Sequence, residues 1–269
     1  MVSQLAEKKV LITGASSGIG AEFARQFHAL GARVILVARR EDRLLQMAAE
    51  FNAVRPESAE IFVADLLGAG LNNLERYLEN EHIDLLVCNA GKGSFGRFEA
   101  LNCDQEEDLI RLNLIAPMRL MHAVIPQMKK SRAGSIISVA SIAAFQPLPY
   151  MSTYSATKAF NLNHVLGLRH ELAEFGIKVI ALCPGPTATE YHSAAGIPKE
   201  WSASYHDSAP DVVRGAITAL DRNQAWVTPG VRSRMLAFLA RILPLDFTTG
   251  ISRRILSGAV KYLDKHGKK

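Results

Sequence analysis

Seven short apolar runs, separated by longer stretches of helical periodicity, limit this chain more than any other feature. They are KKVLITG (8–14), ARVILVA (32–38), AEIFVAD (59–65), HIDLLVCNAG (82–91), GSIISVA (134–140), GIKVIALCPG (176–185) and AWVTPG (225–230). They show little apolar–polar alternation, as expected of strands covered on both faces. Between them lie patterns such as EFARQFHALG (22–31), where Gly31 is placed to close a helix as its C′ residue. Strand–helix alternation at this spacing predicts βαβ units, a parallel sheet and a doubly wound α/β fold. With 48% apolar and 21% charged residues over 269 positions, the chain is neither disordered nor fibrous. We expect one domain over 1–230 and a separate helical tail over 231–269. The block 186–210 breaks the rhythm and reads as a long loop or helical lid.

Charge is unevenly spread. The net charge is +5, but residues 231–269 hold nine basic side chains against Asp246 and Asp264, which leaves the first 230 residues slightly acidic. A basic balance confined to a tail gives no support for nucleic-acid binding by the body. Cys88, Cys103 and Cys183 fit neither a disulfide framework nor a metal spacing, and the eight histidines form no His-x-x-x-His pair. We therefore expect no metal site and reduced thiols in the cytoplasm. The N-terminal stretch has no secretory pattern, and no apolar run is long enough to span a bilayer.

The first chemical motif follows the first run directly. Gly14, Ser16, Ser17, Gly18, Ile19 and Gly20 form a Gly-x-x-x-Gly-x-Gly turn opening a helical pattern. Glycines let main chain approach a pyrophosphate, and unpaired N–H groups at the helix start hold its charge. The second run ends at Ala38 and is followed by Arg39 and Arg40, where an acid would bind a ribose 2′-hydroxyl. Guanidiniums there suit a 2′-phosphate, so the pattern favours NADP(H), with Arg39, nearer the strand end, as the first candidate. The alternative is that both arginines pair with Glu41 and Asp42 at a solvated helix start.

Tyr154 and Lys158 stand one helical turn apart in YSATK. An ammonium beside a phenol lowers the phenol's pKa and makes a general acid/base usable near neutrality. Ser141 lies at the carboxyl end of the GSIISVAS run, where parallel sheets place ligands.

These motifs together resemble the short-chain dehydrogenase/reductase family: Thr-Gly-x-x-x-Gly-x-Gly, Asn89-Ala90-Gly91, a serine 13 residues before Tyr-x-x-x-Lys, and Pro184-Gly185. The resemblance covers about residues 7–189. It implies a Rossmann domain of seven parallel strands and hydride transfer between a nicotinamide and a carbonyl or alcohol carbon. It further implies Tyr154 as proton donor, Lys158 as its tuning cation and ribose ligand, Ser141 as the substrate-orienting hydroxyl, and Asn113 as holder of a relay water. Asp65, with the adjacent Leu66, corresponds to the adenine contact, and Asn89, Ala90 and Gly91 to the segment beside the adenine ribose. Pro184, Gly185, Thr187 and Thr189 correspond to the nicotinamide-side loop.

Tyr191, Trp201 and Tyr205 lie in the irregular block that covers substrate in this family; Tyr191 and Trp201 are our candidate substrate contacts. With few fixed charges, this block favours an apolar carbonyl. The tail carries two basic amphipathic patterns. One is Met235, Leu236, Phe238, Leu239, Ile242 and Leu243 with Arg234 and Arg241 opposite; the other is Ile251, Ile255, Leu256, Ala259 and Leu263 with Arg253, Arg254 and Lys261. Such arcs pack on the body or a second subunit, or lie on an anionic membrane. Packing is the commoner outcome, and peripheral membrane contact is the lesser expectation. A homodimer is expected rather than the tetramer common in the family. The leading function is an NADPH-dependent oxidoreductase. The alternative, a non-catalytic NADP-binding sensor or scaffold, has no need of Ser141, Tyr154, Lys158 and Asn113 together.

Overall fold

The computed structural model describes residues 5–198 and 206–266. The seven apolar runs become seven strands: β1 (Lys9–Thr13), β2 (Arg33–Ala38), β3 (Ala59–Val63), β4 (Leu85–Cys88), β5 (Gly134–Val139), β6 (Ile177–Leu182) and β7 (Trp226–Val227). They form one sheet in the order β3-β2-β1-β4-β5-β6-β7, and every pairing is parallel. This is the expected doubly wound Rossmann architecture. The order reverses between β1 and β4, and such a reversal opens a crevice at the carboxyl ends of the strands.

The strands are apolar throughout because helices cover both faces. On one side α1 (Gly18–Ala29), α2 (Glu41–Val54) and α8 (Ala209–Asp221) pack through Phe23, Phe27, Leu44, Val212 and Val213. On the other, α3 (Ala69–Asn80), α5 (Ala116–Ser131) and α6 (Ser152–Leu172) pack through Leu74, Leu78, Leu120, Val124 and Val165. Gly31 follows α1 with φ of +91°, the positive φ expected of a residue closing the helix.

A short α4 (Cys103–Ile110) leads to α5 through one π-helical turn, Arg111–Ile115. After β6 the chain makes the short α7 (Tyr191–Ala194). An isolated parallel bridge joins Thr187 to Asp207. Trp201 and Tyr205 lie outside the described residues.

The tail is helical, as expected: α9 (Val231–Ile242) and α10 (Leu245–His266). Its apolar arcs pack on the body only in part. Helix α9 buries its small residues, Ser233, Ala237 and Ala240, while Met235, Leu236, Phe238, Leu239 and Ile242 are exposed. Ser233 anchors the helix by donating to Asp207 Oδ2 at 2.7 Å. Helix α10 buries Ala259 and Val260, with Leu256 and Leu263 beside them, against Phe95, Leu109, Met151 and Tyr154. Ile251 and Ile255 face outward. No helix among the described residues is long and apolar enough to cross a membrane.

Candidate active site

The glycine turn is shaped by contacts that admit no side chain. Gly14 and Gly18 have φ of +68° and +55°. A methyl on Gly20 would run into the Gly14 carbonyl, and one on Gly14 would meet the Asn89 amide. Ser17 caps α1 in an extended conformation without a side-chain hydrogen bond to the helix. The first-turn N–H groups are therefore left for an anion at the positive end of the helix dipole.

Thr13, at the end of β1, locks this turn to the next strand. Its hydroxyl donates to the Val87 carbonyl at 3.2 Å and accepts from the Asn89 and Ala90 N–H groups, both at 3.0 Å. The Asn89 amide donates back to the Thr13 carbonyl at 2.9 Å. Sequence reasoning took Thr13 as part of the turn and missed this role. The signal was a hydroxyl ending an otherwise apolar strand beside the crevice.

Arg39 and Arg40 both line the crevice, and they differ in what they hold. Arg39 is exposed, and Arg40 is partly covered. Arg40 donates from Nε to Ser16 Oγ at 3.1 Å and from Nη2 to Ser17 Oγ at 2.6 Å. It also pairs with Glu190 at 2.8 Å, and Glu190 pairs with Arg43 at 2.8 Å. Neither contact is with Glu41 or Asp42. Asp65 lies at the crevice, where its Oδ1 accepts from the Leu67 N–H at 3.0 Å; Leu66 is buried beside it.

Tyr154 and Lys158 share the inner face of α6 and are both buried, as is Ser141 at the end of β5. The Lys158 ammonium donates to the Val139 carbonyl at 2.9 Å and lies 5.7 Å from the Tyr154 ring centre. Burial pulls Lys158 down to about 8. Tyr154 differs from the sequence expectation: its pKa is raised, first by burial, while hydrogen bonds with Tyr191 and Ser141 act in the opposite direction. The reason is that desolvation penalises phenolate while the lysine is turned toward a backbone carbonyl. The ring of Tyr191 lies 5.7 Å from that of Tyr154.

Asn113 is fully enclosed in the π-helical turn. Its Oδ1 accepts from the Lys92 N–H at 3.0 Å; its Nδ2 donates to the Lys92 carbonyl at 2.9 Å and to Thr157 Oγ1 at 3.1 Å. It thus clamps the loop that follows Asn89-Ala90-Gly91. A methyl on Gly91 would press on Asn113 Oδ1 and approach Lys158 Nζ.

One cavity of about 860 Å³ joins these groups. Gly14, Ser16, Ser17, Gly18, Ile19, Arg39, Arg40, Asp65, Leu66, Asn89, Ala90 and Gly91 line one end. Ser141, Tyr154, Lys158, Pro184, Gly185, Thr187, Thr189 and Tyr191 line the other. Gly20 and Asn113 stand behind its wall, and Trp201 falls outside the described residues. Ile142, Leu148, Met151, Ile197, Ile255 and Leu256 add an apolar lining that sequence reasoning had not assigned, because they come from four separate elements. Cys88 and Cys183 are buried, and burial raises both thiols, Cys183 to about 12, so neither is a reactive thiolate. Among the described residues no cluster of His, Cys, Asp and Glu could hold a metal ion.

The glycine cradle, the unpaired helix start and the buried Ser–Tyr–Lys group define a dinucleotide-dependent oxidoreductase site. Residues 8–198 match the short chain dehydrogenase family, and the chain belongs to it. A protein of Staphylococcus epidermidis described as an uncharacterized oxidoreductase is 32% identical over 193 residues, covering 70% of this chain and 81% of the relative. A short-chain dehydrogenase from Sphingobium yanoikuyae, solved in complex with NADPH, is 35% identical with a TM-score of 0.80, covering 93% and 95% of the two chains. The bulky-bulky ketone specific alcohol dehydrogenase from Comamonas testosteroni is 29% identical with a TM-score of 0.75, covering 92% of each chain. The protein is thus an oxidoreductase of this family, acting with a nicotinamide cofactor on CH–OH or C=O groups.

Proposed function

We propose that the protein is an NADP(H)-dependent reductase of apolar ketones or the corresponding secondary alcohols, with Ser141, Tyr154 and Lys158 as its catalytic residues. The observation that carries the reading is the single cavity in which Arg40 sits over Ser16 and Ser17 at one end and the Tyr154 hydroxyl stands at the other. Arg40 and Arg39 supply positive charge where a 2′-phosphate would lie, and the two positions directly after β2 are these arginines rather than an acid that would accept a ribose hydroxyl. The NADPH bound by the Sphingobium relative and the bulky ketones named for the Comamonas enzyme agree with this.

The residues present fit a dinucleotide. The first-turn N–H groups of α1 would hold its pyrophosphate, Asp65 and Leu66 its adenine, and Lys158 its nicotinamide ribose. When bound, the cofactor supplies or accepts the hydride. Ser141 and Tyr154 hold the carbonyl oxygen between two hydroxyls and stabilise the charge that develops on it. Tyr154 delivers its proton to that oxygen. Burial keeps the phenol protonated and ready to donate, and the nearby Lys158 ammonium stabilises the phenolate that remains. Asn113 fixes the Lys92 backbone and, through Thr157, the α6 helix that carries both residues. The apolar lining from Ile142, Met151 and Ile255 excludes water and favours an apolar substrate.

Reduced cysteines support a cytoplasmic setting. Exposed Ile115, Met118 and Phe160 on the body offer a surface for a homodimer. The test is turnover of a panel of ketones, aldehydes and 3-oxoacyl thioesters with NADPH and with NADH. Turnover of bulky ketones with NADPH preferred is the expected result; no turnover of any carbonyl, with cofactor bound, would return the protein to the sensor reading.

A further inference from the structure

The tail helices present an apolar face that no other described residue covers. In α9, Met235, Phe238 and Ile242 recur at helical spacing and are 57%, 60% and 58% exposed. In α10, Phe247, Ile251 and Ile255 repeat the pattern every fourth residue, at 57%, 45% and 63% exposed. Only Leu243 and Pro244 separate Ile242 from Leu245, itself 57% exposed, so the two stripes meet at the corner between the helices. Helix α9 turns these large side chains outward and buries Ser233, Ala237 and Ala240. Single exposed apolar residues are ordinary, but a run of this extent marks a contact surface.

The charges beside this face select the occupant. Arg234, Arg241, Arg253 and Arg254 are all exposed on the same two helices. The two acids there are Asp246 and Asp264, and Arg97 holds Asp264 at 3.1 Å. A symmetric contact with a second copy would set this cationic face against itself. An anionic bilayer meets both demands, taking large apolar side chains at the acyl boundary and arginines at the headgroups. Neither helix can span a bilayer, so the contact lies in the plane of the interface. The position of the face adds a functional reason. Ile255 belongs both to the exposed stripe and to the lining of the catalytic cavity, and the adjacent Leu256 lines that cavity too.

We propose that α9 and α10 form a peripheral docking surface for anionic lipid, which sets the mouth of the catalytic cavity against the bilayer. The clause about the cavity rests on the carbonyl-reductase reading above; the docking itself does not. The test is sedimentation of the full chain with vesicles of phosphatidylcholine alone and of phosphatidylcholine with about 30% phosphatidylserine. The expected result is at least about fivefold more protein pelleted with the anionic vesicles, falling as salt is raised. The triple substitution Phe238→Ser, Ile242→Ser, Phe247→Ser and the pair Arg253→Ser, Arg254→Ser each abolish most of that excess. All five positions are exposed, and circular dichroism with turnover of a small water-soluble ketone shows that the variants fold. No pelleting, or pelleting indifferent to lipid charge or to the triple substitution, overturns the proposal. A native dimer that the triple substitution dissociates in solution also overturns it and assigns the face to a second subunit.

Discussion

Arg40 and Glu190 form an ion pair of 2.8 Å across 150 residues of sequence, joining the end of β2 to the loop after β6. One guanidinium therefore touches the glycine turn through Ser16 and Ser17 and the loop after β6 through Glu190. Both members are substantially exposed, so the pair itself stabilises the fold little. Under the proposed NADP(H) reading, it occupies a cation offered to the 2′-phosphate.

Arg40→Ala should weaken NADPH far more than NADH. A charge-assisted hydrogen bond lost from a phosphate costs about 1.5–3 kcal/mol, which is roughly 10- to 100-fold in Kd. Glu190→Gln should strengthen NADPH by only a few fold, since it removes a screened competitor. Titration of cofactor fluorescence checks both. Equal losses for NADPH and NADH in Arg40→Ala would assign the 2′-phosphate to another residue, with Arg39 the first to examine.

Tyr154→Phe should lower kcat by about 100- to 10,000-fold, the usual contribution of a positioned general acid. Cofactor affinity should stay within about twofold, because the phenol oxygen faces the carbonyl and the ring remains. Steady-state rates beside a cofactor titration separate the two effects. A variant that retains wild-type turnover would remove Tyr154 from the chemistry.

Much of this architecture is readable from residues, and the exceptions have physical reasons. The strands announce themselves because a parallel sheet covered on both faces needs unbroken apolar runs, as in ARVILVA. The glycine turn is visible because only glycine fits where backbone meets backbone at Gly14 and Gly20. The π-helical turn at Asn113 is not visible, since RLNLIAP has ordinary helical composition and the extra residue per turn is set by tertiary contacts with Lys92 and Thr157. In α9 the body meets Ser233, Ala237 and Ala240, which leaves outside the apolar arc that periodicity picks out. Periodicity finds a face; it does not say whether that face meets the core or something outside the chain. Which of Arg39 and Arg40 would meet a 2′-phosphate depends on side-chain direction, which sequence distance from a strand end does not encode.

Lys158 should leave a signature in the pH dependence of stability. Burial lowers its native pKa to about 8 from an ordinary 10.5. Between those values the unfolded chain holds a proton that the native chain has released, so stability from this group rises with pH across the window. The gain is on the order of 1–3 kcal/mol. Denaturant midpoints of the cofactor-free protein between pH 7 and 10.5, compared with Lys158→Met, isolate it from other titrating groups. The difference between the two proteins should narrow or reverse in sign as pH rises; a difference independent of pH would mean the ammonium is solvated.

Thr13→Val tests whether the missed hydroxyl holds the crevice together. Valine keeps the shape and β-branching of threonine but removes the acceptor shared by the Asn89 and Ala90 N–H groups and the donor to the Val87 carbonyl. Each backbone group left unpaired in a buried setting costs about 1–3 kcal/mol. Partial access to the crevice will let water recover some of this, so the expected loss is about 2–4 kcal/mol in total. Cofactor affinity should fall together with stability, because the Asn89-Ala90-Gly91 segment and the glycine turn lose their shared tether. Thr13→Ser keeps the hydroxyl and should restore binding even where the lost methyl leaves some instability. If Val and Ser variants bind cofactor alike, the hydroxyl does not position the turn, and packing alone sets its shape.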